Sequence, residues 1–281
     1  LLTCLTNADG DGRIAVSVEK EGASTIRFLL LSPSAHFKSI AEETRSVLLL
    51  GGTLQPFQYL ASSLFVQTCK PPAALTYFSC GHVVDRSNVL ATVVDKGPDG
   101  RELTFTHGTK FDKSLTTALL FTLARLCQVA PRGMVVFITS YAYMDLLVSQ
   151  WRSAGLLAQL SKHKEVFVEP RGVAEADSVW SDYSKVVGRG GGAVLFCVMG
   201  GKLSEGINFS NDLARCVVVV GMPYPDSRDP VLQEKMKQAE RLERLASSGN
   251  SGSTGNAGKM LYEALCMNSV NQSIGRSIRH A

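Results

Sequence analysis

The residues best equipped for chemistry stand near the carboxyl end, in the run Asn271-Gln272-Ser273-Ile274-Gly275-Arg276-Ser277-Ile278-Arg279-His280. Positions three and four apart share one face of a helix, so this spacing predicts that Gln272, Arg276 and Arg279 point the same way. A glutamine beside two guanidiniums suits a polyanion better than a core, because each guanidinium presents a planar fork of donors matched to phosphate oxygens. An isolated Arg-x-x-Arg is by default a solvated helix end. The run Gly200-Gly201-Lys202 offers a second phosphate chemistry, since glycines let backbone N–H groups approach an anion closely. It is not a Walker loop: Phe196 stands five positions before Gly201, and Leu203 replaces the required serine or threonine. The chain contains no other candidate for that loop and no Asp-Glu-Ala-His box.

These residues need elements to position them. Ile26–Leu31 reads as a strand, and Ser32-Pro33 starts a helix that runs to about Glu43. Val47–Leu50 reads as a fully apolar strand of a covered parallel sheet, and Phe57–Phe65 as a short helix. Thr68–Pro72 reads as a linker, followed by three strands at Tyr77–Val84, Asn88–Val94 and Glu102–Thr106. Asp112 is placed to N-cap a helix through Val129. Strands and helices then alternate through Met134–Ile138, Tyr143–Ser153, Val166–Val168, Ala174–Val187, Val194–Val198 and Cys216–Val220. That alternation predicts an α/β fold with a doubly wound parallel sheet, whose ligands meet the loops at the carboxyl ends of the strands. Gly200 lies at such an end. Asp229–Leu245 is a highly charged helix, the Ser/Gly/Asn-rich insert 247–258 is expected to be mobile, and Lys259–Met267 resumes a helix.

Composition sets wide bounds. The 281 residues are 45% hydrophobic and 19% charged, ordinary for a globular protein with one large or two small cores. The net charge of +4 permits a polyanion partner without demanding one. Five histidines and seven cysteines form no pair with metal-ligand spacing, so no metal residue is assigned, and the scattered cysteines read as reduced buried thiols. No apolar run approaches the roughly 20 residues of a membrane span, and no membrane partner is expected.

Five segments, in order, carry a family resemblance. They are VLLLGGTL at 47–54, MVVFITSY at 134–141, LFCVMGGKLSEGINF at 195–209, RCVVVVGMPY at 215–224 and QSIGRSIR at 272–279. Together they resemble motifs three, four, five, five-a and six of superfamily two helicases. The pattern is most similar to the XPD-like branch of iron–sulfur DNA helicases. The wording GGTLQPF, GGKLSEGINF and VGMPYPDSRDP most resembles the chromosome-loss helicase group, near FANCJ and RTEL. The resemblance spans almost the whole chain. It implies that residues 1–66 end a first RecA-like lobe and that residues 67–281 form the second, the chain being the carboxy-terminal portion of a longer protein.

The resemblance also implies roles. Arg276 and Arg279 match arginine fingers that reach the γ-phosphate held by the first lobe, and Gln272 orients that phosphate or the attacking water. Gly201, Glu205, Asn208 and Gly275 fall on the nucleotide side, although most relatives carry Asp where this chain has Asn208. Ser140, Tyr141, Gly200, Lys202 and Ser204 fall on the DNA side, where hydroxyls and amides hold strand phosphates. A helix N-cap by Ser140, or a tight turn at Ser204-Glu205-Gly206, would account for the same residue types. Gly52 and Thr53 couple the nucleotide and DNA sites. Lys110, Lys113, Arg125, Arg132 and the Arg241–Arg244 helix are candidate backbone contacts, though charged helix faces are usually just solvated.

ATP and Mg2+ would be held mainly by the first lobe, and a 4Fe-4S cluster is expected in the full-length protein outside this segment. The implied partners are single-stranded and forked DNA and the first lobe of the same protein, in a monomeric nuclear motor for DNA repair and sister chromatid cohesion. This segment alone is expected to be inactive. Two rivals stay open at this point: a truncated, non-catalytic lobe that binds DNA or a partner, and a different doubly wound enzyme such as a nucleotide-sugar transferase.

Overall fold

The computed structural model describes residues 12–18, 24–65, 74–82, 84–246 and 256–277. In chain order the elements are β1 (Gly12–Val18), β2 (Ser24–Leu30), α1 (Ser34–Glu43), α2 (Phe57–Phe65), α3 (Lys113–Val129), β3 (Gly133–Ile138), α4 (Tyr141–Ser153), α5 (Leu157–Ser161), β4 (Glu165–Val168), α6 (Val173–Gly188), β5 (Ala193–Val198), α7 (Lys202–Gly206), β6 (Cys216–Val220), α8 (Pro230–Ala246) and α9 (Ala257–Ile274). The chain divides into two compact units, residues 1–80 with 224–268, and residues 81–223 with 269–281. The expected linker at 68–72, most of the insert at 247–258, and Arg279 fall outside the described residues.

In the second unit β3 to β6 form a parallel sheet in the order β4-β5-β3-β6. Both β3 and β5 are buried along their whole length. Successive side chains of a strand point to opposite faces, and the packing follows that period. Met134, Val136 and Ile138 join Val194, Phe196 and Val198 in one core with Leu120, Leu123 and Trp151. Val135 and Phe137 join Leu195 and Cys197 in the opposite core with Tyr183, Phe209 and Val270. Two covered faces explain the unbroken apolar runs, as expected of a parallel sheet between helix layers. The helix caps follow the sequence: the Asp112 carboxylate accepts from Ser114 N at 2.7 Å, and the Ser140 hydroxyl accepts from Tyr143 N at 3.2 Å.

In the first unit β1 and β2 form an antiparallel hairpin. The hairpin's first strand was not legible in the mixed composition before Ile26. The apolar stripe of α8, including Met236 and Ala239, packs on Tyr59 of α2 and on Ala257 and Leu261 of α9. Phe37 of α1 meets Phe65 of α2 edge-on, with ring centroids 5.3 Å apart.

Four expected strands do not form. Residues 47–50 are irregular, with Leu48 and Leu50 80% and 83% exposed. Residues 77–106 carry one short 3-10 turn at Arg86–Asn88 and a single antiparallel bridge, Lys96 to Glu102. Val83, within the first of these expected strands, lies outside the described residues. The physical reason is that strand propensity measures fit to a half-buried pleated surface and has no force without a neighbour. Among the described residues no strand pairs with these stretches. Five free thiols are described: Cys127, Cys197 and Cys266 are buried, Cys216 is half-buried and Cys80 is exposed.

Candidate functional site

The loops that follow β3, β4 and β5 meet at one edge of the sheet, the carboxyl edge. The centre of this cluster is Glu169, directly after β4 and only 2% exposed. Its Oε2 accepts from Val198 N at 2.8 Å, and its Oε1 accepts from Leu203 N at 3.0 Å and from the Tyr141 hydroxyl at 3.0 Å. A buried carboxylate is costly unless hydrogen-bonded, and three donors answer that cost. The bond to Leu203 N also satisfies an amide in the first turn of α7, which has no side-chain cap of its own. Burial, and next the Glu169 charge, push the Tyr141 phenol up from its ordinary range and keep it a donor.

Glu169 dictates the glycines beside it. Gly200 sits at φ +73°, in the left-handed region where a side chain is strained. A Cβ on Gly201 would stand 2.9 Å from both Glu169 oxygens and from Tyr141 Oη. Gly201 N donates to Val198 O at 2.9 Å, and Met199 N to Ile138 O at 2.9 Å, so the loop leaves β5 hooked to the end of β3.

The other expected residues divide by what they touch. Ser204 is buried, and its hydroxyl donates to Gly201 O at 2.9 Å. The Lys202 ammonium donates to Val173 O at 2.7 Å and pairs with Asp177 at 2.8 Å. Ser140 caps α4 while Tyr141 joins Glu169. Arg171 lies over the Tyr141 ring, 5.6 Å from its centroid, and pairs with Asp145 at 2.6 Å. Asn208 and Gly200 are exposed, and nothing is described for the Glu205 side chain. Gly52 and Thr53 are exposed in a turn of the first unit.

The carboxyl end corrects one expectation. Helix α9 stops at Ile274, so Gln272 and Arg276 do not ride one continuous helical face. The chain tightens instead into a turn, with Arg276 N on Ser273 O at 3.4 Å and Ser277 N on Ile274 O at 2.9 Å. A Cβ on Gly275 would stand 2.8 Å from Asn271 O, which suits the position to glycine. Gln272 is exposed and Arg276 half-buried. Phe209 N donates to Arg276 O at 3.1 Å, and Leu203, Phe209, Val270 and Ile274 share one apolar cluster. The glycine loop and the arginine turn are therefore neighbours.

Glu169 escaped the sequence reading. Its signal was positional: it is the carboxylate that follows an apolar strand, the place that Thr139 and Met199 hold after β3 and β5.

The family described as helicase C-terminal domain matches residues 123–281. The chain is 41% identical over 287 aligned positions to a Danio rerio protein named ATP-dependent DNA helicase DDX11, covering 99% of this chain and 32% of that protein. It is 38% identical over 283 positions to a Meyerozyma guilliermondii protein named ATP-dependent DNA helicase CHL1, covering 100% of this chain and 33% of that protein. The chain thus spans about a third of the length of these curated relatives. A solved structure titled XPD_Helicase superposes with a TM-score of 0.51 at 18% identity, covering 98% of this chain and 43% of the other, and it shows the shared α/β fold. A parallel sheet with its glycine loop and arginine turn at one edge lies within the matched segment, and on that match over the larger part of its length the chain belongs to the helicase C-terminal domain family.

Proposed function

We propose that the chain is the carboxy-terminal motor portion of an ATP-dependent DNA helicase that translocates on single-stranded DNA, 5′ to 3′, and unwinds duplex or fork DNA. The observation that carries this reading is the hydrogen bond from Phe209 N to Arg276 O, which ties the loop after β5 to the arginine turn. A motor that couples nucleotide state to DNA grip needs those two segments to move as one. The relatives named as ATP-dependent DNA helicases favour this reading over a non-catalytic lobe, and the family match removes the sugar-transferase reading.

In the proposed mechanism the amide of Gly200, with Ser140, Tyr141 and Lys202, holds phosphates of the tracking strand. Ser204 spends its hydroxyl on Gly201 and serves by holding the loop. Lys202 serves by exchanging Asp177 for a phosphate. Arg276 and Arg279, with Gln272, reach a γ-phosphate bound by the first lobe. Such a finger is worth about 10³–10⁵ in rate, and it acts on charge that develops in the transition state. Gly201, Glu205, Asn208 and Gly275 line the nucleotide side, and Gly52 and Thr53 relay closure.

Among the described residues no group of three or more His, Cys, Asp or Glu is placed to hold a metal. The resemblance assigns the sites of the Mg2+ and the 4Fe-4S cluster to the first lobe. Nuclear localisation, a monomeric motor and work on forked DNA belong to the same proposal. No described helix is long and apolar enough to cross a membrane.

The test is DNA-stimulated ATP hydrolysis and fork unwinding, by the full-length protein and by this chain alone. Full-length activity with an inert isolated chain is the expected pair of results. A full-length protein that binds DNA but turns over no ATP would overturn the motor reading.

A further inference from the structure

The first unit holds a second cluster of cations, far in sequence from the glycine loop. Helix α8 carries charges of both signs, and the fold sorts them. The Glu243 carboxylate accepts from Ala257 N at 3.2 Å, at the start of α9. Glu240 faces the same turn: a Cβ on Gly258 would come 2.7 Å from its Oε1. Glu240 and Glu243 thus face α9, where a helix amino terminus favours negative charge, while Glu234 lies on the cation side. Lys237, Arg241 and Arg244 recur at intervals of four and three, so they form one stripe, and all three are exposed.

That stripe borders a cleft of about 570 Å³, whose other wall is Arg13 of β1. Four cations line it against one carboxylate, Glu234, which Arg13 approaches at 3.3 Å and Lys237 at 2.8 Å. Lys237 also lines an adjoining hollow of about 310 Å³ with Tyr262 and the carboxylate Glu240. Tyr262 stacks on Tyr224 with centroids 5.1 Å apart and planes 22° from parallel. The Tyr262 hydroxyl donates to Pro225 O at 3.0 Å, which holds the stack in place, and Tyr224 is 49% exposed.

We propose that this surface, from the Tyr224–Tyr262 stack along the Lys237–Arg241–Arg244 stripe to Arg13, is a binding track for single-stranded nucleic acid. A basic groove next to an exposed aromatic face is the pairing that single strands require, because every base has a π-face and every nucleotide a phosphate. Seven residues of helix span about 10 Å, enough for successive phosphates. A duplex would leave the tyrosine stack unused, since its bases are already stacked. Apart from Tyr224, which ends the 215–224 segment, the surface lies outside the five matched segments. This inference rests on the reading that the protein works on DNA.

The experiment measures binding of a fluorescein-labelled oligo-dT by anisotropy, across a salt series, with the chain described here. Arg241→Glu with Arg244→Glu should weaken binding about tenfold and flatten the log-affinity against log-salt slope by about 1.4, two phosphate contacts at roughly 0.7 each. Tyr224→Ala should weaken it about tenfold with the slope unchanged. Arg152→Glu with Lys185→Glu, an equal charge change on exposed helix positions of the second unit, should do neither. Arg241→Gln with Arg244→Gln repeats the test should reversal disturb folding. Equal losses from both reversal pairs, or no loss from the α8 pair, would overturn the track and leave the motor reading standing. No binding of oligo-dT by the parent chain at low salt would count against the motor reading itself.

Discussion

The Glu169 cluster and the open face of α8 are both polar, and they are built in opposite ways. Glu169 is buried, takes three donors and leaves no room for a side chain at Gly201. On α8 the cations are exposed, and Lys237 and Arg13 share one carboxylate. The first arrangement fixes geometry, because both carboxylate oxygens are buried and each is held by donors from other segments. The second holds charge in place loosely, since exposed ion pairs contribute about 0–1 kcal/mol and are screened by salt. A site that must aim backbone amides belongs to the first kind. A surface that must follow a flexible polyanion belongs to the second.

Substitutions at five positions test the comparison, in order of expected effect. In the full-length protein Arg276→Ala or Arg279→Ala should lower ATP turnover about 10³-fold or more, roughly 4 kcal/mol, with DNA binding and melting temperature close to wild type. Lysine should rescue poorly, because an ammonium lacks the fork. Single-turnover ATPase beside thermal melts decides it, and turnover lost only together with the fold would make these arginines structural. Glu169→Ala orphans two amides and a phenol in a buried place, and should cost about 3–5 kcal/mol of stability, read as a lower urea midpoint. Glu169→Gln retains acceptors and should cost less. A wild-type midpoint for the alanine variant would show that the loop stands without its carboxylate.

Gly201→Ala tests the same cluster from the other side. A methyl 2.9 Å from three oxygens must push something aside, and overpacking of this kind costs about 1–3 kcal/mol. Proteolysis near residue 201 should rise with it, and an alanine variant as resistant as the parent would mean the loop has slack. Arg241→Ala belongs to the loose kind and should change stability by no more than about 0.5 kcal/mol. A larger shift in its melting curve would place Arg241 in the architecture of the first unit and blur the comparison.

Much of the second unit was legible because its strands are buried on both faces. Val135-Val136-Phe137 and Leu195-Phe196-Cys197 have no polar face to confuse with a helix period, and the cores confirm both sides. Asp112 and Ser140 were legible because an N-cap is a local bond. The stretches 47–50 and 88–94 have the same apolar composition, yet Leu90 is 92% exposed, because pairing depends on a neighbour that local sequence does not name. The end of α9 was misplaced for a related reason: the arginine spacing fits a helix, and the turn after Ile274 is decided by contact with Phe209. Glu169 was hidden because its partners come from Tyr141, Val198 and Leu203, on three other segments of the chain.

The bond between Phe209 and Arg276 runs from main chain to main chain. Every natural amino acid at 276 can supply that carbonyl, and every one but proline at 209 can supply that amide. Saturation mutagenesis at 276 therefore samples side-chain chemistry with the latch intact. Breaking the latch takes a different tool, an amide-to-ester exchange at 209, which deletes the donor and leaves the guanidinium untouched. The two perturbations are orthogonal, and together they measure how much of an arginine's reach comes from its own side chain and how much from the loop that carries it.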